Sequence, residues 1–372
     1  MSEALDNPDI IPDIDMPPYN IAHPRLARGV LGQNVAEATF IQAVQSGRLP
    51  HAWILYGSKG VGKASFAYHI ARHFFSTSDE TSITQIAAPP DSPESKLVES
   101  GAHPDLFVLK RIWNVKDGNN RFFTQIRAEE ARGLHKPLQR TASQGGWRIA
   151  IIDSIDEMNE KGVASLLKLI EEPPPRVLFL IICHQLGNVI DTIRSRTRLL
   201  SFNPLAPEDC RAVVARHFPA LAGDALDIAV FLGEGSVAHA CRFAENEKNG
   251  GIKIYTDFIN VLATMPRANI KAMHDLANLV SNRSKPENFP IFCDLITGWL
   301  HRLTRMQVGG QAPENLPASE AQLAQNWQHI PTKSLLELWS KIQTQTKTAN
   351  ALNLDKKQTT LEWLKDIKKL FN

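Results

Sequence analysis

Residues 57–63 read Gly57-Ser58-Lys59-Gly60-Val61-Gly62-Lys63, and the next residue is Ala64. The pattern is that of a phosphate-binding loop, in which backbone N–H groups surround phosphate oxygens and the lysine contacts the terminal phosphates. A Ser or Thr normally follows the lysine and ligates magnesium, but this chain has Ala64 in that position. Ser65 does not replace it, because one helical step turns a side chain by about 100°. We therefore predict a nucleotide-binding scaffold with impaired catalysis.

The residues around the loop predict a strand before it and a helix after it. Residues 52–56 form a short apolar run, and residues 64–75 carry apolar residues at helical spacing. Further along, Arg148–Asp153 and Val177–Cys183 read as buried strands, separated by a helix that ends at the prolines 173–175. Strands that alternate with helices indicate a parallel sheet with helices on both faces. The predicted fold class is an α/β P-loop domain followed by helical segments.

The composition is that of an ordinary soluble protein with two or three domains, since the chain has 372 residues, of which 43% are hydrophobic. No apolar run is long enough to span a bilayer and the N-terminus lacks a signal core, so we expect a cytoplasmic protein without a membrane partner. Four scattered cysteines predict buried apolar residues rather than a metal cluster. The formal net charge is only +2, so any contact with nucleic acid would come from a local patch.

Several connecting segments carry their own expectations. Residues 1–27 are rich in acidic residues and proline and predict a flexible extension without chemistry. Residues 76–104 are rich in Ser, Thr, Pro and Glu and predict a flexible insertion. Residues 117–120 read as a hairpin turn, and Thr124 is expected to cap a helix that runs through residues 126–134.

The strand 148–153 ends in Asp153, as does a Walker B strand, whose carboxylate orders magnesium. In active ATPases of this architecture, the next residue is commonly an acid that polarises the attacking water. Here it is Ser154, and Asp156 and Glu157 come too late to occupy that position. A second part of the hydrolytic machinery is therefore predicted to be missing.

An ordered set of further motifs accompanies the loop and the Asp-ended strand. In chain order they are Gly47-Arg48-Leu49-Pro50-His51-Ala52, His103-Pro104-Asp105, Ile151-Ile152-Asp153, Met158-Asn159, Leu166-Leu167-Lys168, Glu171-Glu172-Pro173-Pro174, Thr192-Ile193-Arg194-Ser195-Arg196-Thr197 and Asn353-Leu354-Asp355. Together they resemble the bacterial clamp-loader family of AAA+ proteins. The resemblance implies an AAA+ P-loop domain at 28–203, a helical lid at 204–248 and a helical collar at 249–372 that serves oligomerisation.

The resemblance also implies a function and partners. The family forms a hetero-pentamer of the DNA polymerase III holoenzyme, in which gamma/tau ATPase subunits and a delta subunit accompany a stator subunit. The assembled ring opens the sliding clamp and places it on primed DNA. The expected role of this chain is that of the stator, with no intrinsic catalysis.

Arg196 is the residue to which the resemblance gives the largest role. In the family, a Ser-Arg-Cys motif presents its arginine to ATP held by the neighbouring subunit, and Ser195-Arg196-Thr197 matches it with a changed third residue. Such a trans arginine contributes about 10³- to 10⁵-fold in rate. Without the resemblance, Arg196, together with Arg194 and Arg198, reads as one of several surface charges near a helix end.

Other departures from active relatives agree with a stator. The lid motif reads Gly235-Ser236-Val237-Ala238, with Ala238 where active relatives have a sensor arginine, and Cys183-His184 replaces a water-orienting Thr, Ser or Asn. Residues 76–104 contain no cysteine, so no zinc is predicted. No cofactor is required, although residues 57–65 and Asp153 leave weak ATP or ADP binding open.

Two alternatives remain at this point. The first is an active AAA+ ATPase of the gamma/tau type, in which Ser65 is recruited to magnesium. The second is an independent DNA-binding adaptor that uses Lys365, Lys368 and Lys369 as a phosphate patch, although these lysines also fit a solvated helix face. ATP turnover by the isolated chain would favour the first, and steeply salt-dependent DNA binding the second.

Overall fold

A computed structural model gives the fold of the chain. It describes residues 22–77, 83–111, 113–114, 121–123, 125–143, 146–245, 250–267, 269–313, 315–352 and 355–371. The chain divides into two compact units. The first comprises Met1–Asp209 with Ser236–Ala238, and the second comprises Cys210–Gly235 with His239–Asn372. The boundaries expected for a separate lid and collar stay predictions.

The first unit is built on a five-stranded sheet in which every strand pair is parallel. In chain order the strands are β1 (Ala52–Tyr56), β2 (Leu106–Lys110), β3 (Trp113–Asn114), β4 (Arg121–Phe122), β5 (Arg148–Asp153), β6 (Val177–Cys183) and β7 (Arg198–Ser201). The sheet order is β2-β5-β6-β1-β7, and β3 and β4 form a separate antiparallel pair. Because the large sheet is parallel, the carboxyl ends of its strands meet at one edge, where the loop after β1 also lies.

Helices connect these strands. They are α1 (Asn34–Gln45), α2 (Lys63–Ser76), α3 (Pro93–Ser100), α4 (Ala128–Gly133), α5 (His135–Gln139), α6 (Glu160–Glu171) and α7 (Asp191–Arg194). In β1, the ring of Trp53 packs 5.2 Å from that of Phe40 in α1. Its neighbour Ile54 belongs instead to a core cluster with Leu166 and Ile170 of α6. Successive strand residues point to opposite faces, so both faces of the sheet are covered and the predicted α/β fold class is confirmed.

Two local expectations were wrong. The segment 76–104 contains helix α3, which begins where the Ser92 hydroxyl accepts a hydrogen bond from the Ser95 N–H at 3.1 Å and whose Val98 is fully buried. The helix expected from Ile126 begins only at Ala128, because Ile126 forms a parallel bridge with Met158. The predicted turn at 117–120 and the predicted cap Thr124 lie outside the described residues.

The C-terminal half is helical, as predicted. Its helices are α8 (Pro207–His217), α9 (Gly223–Gly233), α10 (Val237–Ala244), α11 (Gly251–Ala263), α12 (Ile270–Val280), α13 (Asn288–Gln307), α14 (Ala318–Asn326), α15 (Thr332–Leu352) and α16 (Lys356–Lys369). Buried apolar residues of α15 and α16 include Leu335, Leu338, Ile342, Leu361, Leu364 and Ile367, whereas Trp339 is 37% exposed. Inside this half, Arg302 forms a buried ion pair with Glu320 at 2.8 Å. No described helix is both long and apolar enough to cross a membrane.

Candidate functional site

The phosphate-binding loop follows β1 and enters α2, as the motif requires. Gly62 is the residue before the helix and has φ +99°, and Gly60 has φ +82°, both in the left-handed region that glycine adopts without strain. Gly60 is also closely approached, because a Cβ there would lie 2.3 Å from the Ser236 hydroxyl. Ala64 and Ser65 are half-buried in the first turn of α2. The loop therefore has the expected shape, and a methyl group takes the place of the metal-ligating hydroxyl.

Lys63 lies inside this loop and is 3% exposed. Its Nζ donates hydrogen bonds to the carbonyl oxygens of Gly57 at 2.6 Å and Ser58 at 2.5 Å. Burial lowers the pKa of Lys63 to about 8, and the charge of Asp153 partly opposes that shift. Phosphate oxygens would thus compete with two loop carbonyls for the ammonium group.

Asp153 stands at the end of β5, where a magnesium-ordering carboxylate is expected. Burial and then the charge of Glu157 raise its pKa to about 6, while Lys59 and Lys63 act in the opposite direction. The next residue, Ser154, is 1% exposed, and its hydroxyl oxygen has no hydrogen-bond partner among the described residues. The position that should carry a water-polarising acid therefore holds an enclosed neutral hydroxyl.

Asp156 has a structural role, in binding the backbone after β6, that the sequence alone does not reveal. Its carboxylate accepts backbone hydrogen bonds from His184 at 2.5 Å and Gln185 at 3.0 Å, and the Cys183 thiol lies 3.7 Å away. The carboxylate therefore fixes the residues that follow β6. Burial, helped by the charge of Lys63, lowers the pKa of His184 to about 4 and keeps its ring neutral at physiological pH. The backbone contact with Asp156 and the neutral ring favour a structural over a catalytic role for His184.

The segment Ser236–Ala238 packs directly on the phosphate-binding loop. The Ser236 hydroxyl donates to the Lys59 carbonyl at 2.9 Å, and the Val237 N–H donates to the Gly60 carbonyl at 3.0 Å. Ala238, in the first turn of α10, has a methyl side chain that cannot donate to a phosphate. No local sequence signal reveals this contact, because the two segments are far apart in the chain.

Arg196 lies on a second site, just after α7. Its Nη1 donates to the Thr192 carbonyl at 3.0 Å and to the Ser195 hydroxyl at 3.2 Å, and its Nε lies 3.0 Å from a carboxylate oxygen of Glu171. The side chain is 42% exposed. The Thr197 hydroxyl donates to the Ile193 carbonyl at 2.9 Å and so satisfies an end group of α7.

The two groups of predicted site residues are separate in their bonding. Across the described residues, no hydrogen bond or ion pair connects Arg196 with the loop 57–65 or with Asp153. The described part of the chain also holds no group of three or more His, Cys, Asp or Glu residues arranged for a metal ion. All four cysteines are free and buried. Of the lysines in the proposed phosphate patch, Lys369 is paired with Asp366 at 2.8 Å.

The sheet order, the loop after β1 and the Asp-ended strand β5 define the class of the first unit: it is a P-loop domain of the AAA+ type. Residues 32–206 match the protein family described as DNA polymerase III, delta subunit. Subunit delta' of DNA polymerase III from Bacillus subtilis is 31% identical over 167 residues, which are 45% of this chain and 46% of that protein. The resemblance to the bacterial clamp-loader family is thus confirmed, and within residues 32–206 the chain is similar to the delta prime subunits of DNA polymerase III.

Other relatives carry related names. DNA polymerase III subunit gamma/tau of Mycobacterium bovis is 28% identical over 198 residues, which are 53% of this chain and 32% of that protein. A crystal structure of a gamma subunit-related protein from Thermotoga maritima aligns with a TM-score of 0.43 at 14% identity, covering 90% of this chain and all of the other. The chain spans about half the length or less of these two curated relatives.

Proposed function

We propose that this protein is the stator subunit of a bacterial clamp loader and supplies Arg196 to ATP bound by a neighbouring ATPase subunit. The observation that supports this most is the state of Arg196. Its guanidinium is about half exposed, and its Nη2 makes no hydrogen bond within the described part of the chain. Nη2 and its two N–H groups form the free edge of the planar guanidinium, and both N–H groups can donate to phosphate oxygens.

The chain's own nucleotide site supports the same proposal, because it lacks groups that ATP hydrolysis needs. Ala64 supplies no metal ligand, Ser154 supplies no acid and Ala238 supplies no cation. Lys63 is engaged by two loop carbonyls. A site that lacks three separate contributions to phosphoryl transfer cannot stabilise its transition state well. The loop then serves as a scaffold, and weak ATP or ADP binding without turnover remains part of the proposal.

The proposed partners follow from the family. The ATPase neighbour would be a gamma/tau subunit, with a delta subunit completing a hetero-pentamer in the cytoplasm. The assembled complex, rather than this chain alone, would contact the sliding clamp and primed DNA. The modest net charge of +2 agrees with a subunit that needs no strong DNA affinity of its own.

The test is the variant Arg196→Ala in a reconstituted loader with clamp and primed DNA. ATP turnover should fall by about 10³-fold or more at the neighbouring site, because a trans arginine stabilises the charge that develops on the transferred phosphoryl group. Arg194→Ala is the matched control. Arg194 is an exposed arginine two residues away, and its ion pair is with Asp191 at 3.3 Å.

The outcomes separate clearly. If Arg196→Ala removes turnover while Arg194→Ala does not, and both variants assemble, the assignment of Arg196 as the trans arginine is supported. Equal turnover in wild type and Arg196→Ala would reject it. Size-exclusion chromatography of each reconstituted complex establishes that a loss of rate is not a loss of assembly.

A further inference from the structure

We propose that Glu171 is a positioning residue for Arg196: its carboxylate holds the guanidinium so that the free edge faces a phosphate of the neighbouring subunit. This inference rests on the proposed function of Arg196. It concerns a residue that neither carries a phosphate contact nor belongs to the Ser-Arg-Thr segment itself.

Glu171 reaches Arg196 from a different element. It is the last residue of α6, and the chain turns away at Pro173 because proline cannot continue the helix. Arg196 follows the short helix α7. The Glu171 carboxylate lies 3.0 Å from Nε of Arg196, and the two side chains are 45% and 42% exposed. The contact therefore joins the end of α6 to the segment after α7 at the surface of the first unit.

The three nitrogen atoms of the guanidinium have different surroundings. Nε forms an ion pair with the Glu171 carboxylate at 3.0 Å, and Nη1 donates to the Thr192 carbonyl and the Ser195 hydroxyl. Nη2 makes no hydrogen bond to any described residue. Because the group is planar and rigid, fixing Nε and Nη1 also fixes the direction in which Nη2 points. Glu171 thus supplies one of the contacts that preorganise the free edge.

Charge gives a second reason for a carboxylate at this place. Arg194, Arg196 and Arg198 occur within five residues and repel one another. Arg194 is compensated by Asp191 in its own helix. Glu171 gives Arg196 a counter-charge of its own. The Arg196 side chain therefore keeps one orientation despite its repulsion by Arg194 and Arg198. A half-exposed pair of this kind has a modest effect, about two- to fivefold in an equilibrium or a rate.

The experiment compares Glu171→Ala with Glu172→Ala in the reconstituted loader. Glu172 is the adjacent exposed glutamate, and it takes part in no ion pair among the described residues. Glu171→Ala should lower kcat for ATP hydrolysis about two- to fivefold with KM for ATP unchanged, whereas Glu172→Ala should leave both constants at the wild-type values. Glu171→Gln, which keeps the size of the side chain but loses its charge, should lower kcat by a smaller factor.

A double-mutant cycle shows whether Glu171 acts through Arg196. In the Arg196→Ala background, Glu171→Ala should have no further effect on kcat, because the group that it positions is gone. If Glu171→Ala lowered kcat as much in that background as in the wild type, the inference would be overturned. An increase in kcat on Glu171→Ala would also overturn it, because Glu171 would then be holding Arg196 away from the phosphate.

The design also separates this inference from the proposed function. If Arg196→Ala lowers turnover but Glu171→Ala behaves like Glu172→Ala, only the positioning role of Glu171 is wrong. If Arg196→Ala leaves turnover unchanged, the assignment of Arg196 as the trans arginine and the positioning role of Glu171 both fail.

Discussion

Replacing Asp153 with Asn should stabilise the isolated chain, and the gain should grow as the pH rises from 5 to 7. The carboxyl group stands at the end of β5, and burial followed by the charge of Glu157 raises its pKa from 3.8 to about 6. An acid whose pKa is raised by folding binds its proton more tightly in the folded chain. Its contribution to stability is therefore greatest below about pH 4 and is lost as the pH rises through about 6.

The size of the effect follows from the two pKa values. A difference of about two units corresponds to about 3 kcal/mol once the group is fully ionised in both states. At pH 5 about half of that cost is already present, so the advantage of Asn should grow by about 1 kcal/mol between pH 5 and pH 7. Asp191→Asn, which replaces a carboxylate that is 96% exposed, is the matched control.

Urea unfolding of the wild type and both variants at pH 5, 6 and 7 measures this difference directly. A gain for Asp153→Asn that is constant across these pH values would refute the electrostatic reasoning. So would a loss of stability that deepens with pH, since it would show that the ionised carboxylate is favourably paired in the folded chain.

Three further predictions concern the loop and the helical half. Gly60→Ala should lower the free energy of unfolding by about 1–2 kcal/mol, because φ is +82° and the new Cβ would meet the Ser236 hydroxyl at 2.3 Å; an unchanged melting temperature would contradict this. Ala64→Ser should restore the hydroxyl without ATP turnover in phosphate-release assays, since the water-polarising acid is still missing; measurable turnover would show otherwise. Arg302→Ala should cost about 3–5 kcal/mol because it leaves Glu320 as an unpaired charge that is 1% exposed, and adding Glu320→Gln should recover part of the loss in urea titrations.

Much of the fold could be predicted because its signals are local. The strands β1, β5 and β6 are short apolar runs with clear ends, and they begin and end where the sequence indicates. The loop 57–63 fixes a strand before it and a helix after it. Helix α3 escaped prediction because its polar composition suggests a loop, whereas the helix depends on the Ser92 cap and on two buried residues, Ser95 and Val98.

The site was less accessible to sequence reasoning, because its contacts join distant segments. The Ser236 hydroxyl bonds to the Lys59 carbonyl, and the Glu171 carboxylate meets Arg196, but neither pair has a recognisable spacing. In the sequence, Asp156 is only an acid in the wrong position for catalysis. Its bonds to the backbone after β6 depend on the strand order, which places β5 beside β6.

The most direct measurement of the central claim, that this chain contributes to hydrolysis without performing it, is ATP turnover by the purified chain alone. In saturating ATP and magnesium, the chain should release phosphate no faster than a Lys63→Ala variant prepared in parallel, because Ala64 and Ser154 remove the metal ligand and the acid. Magnesium-dependent turnover by the wild type that Lys63→Ala abolishes would contradict the account and identify the chain as an ATPase in its own right.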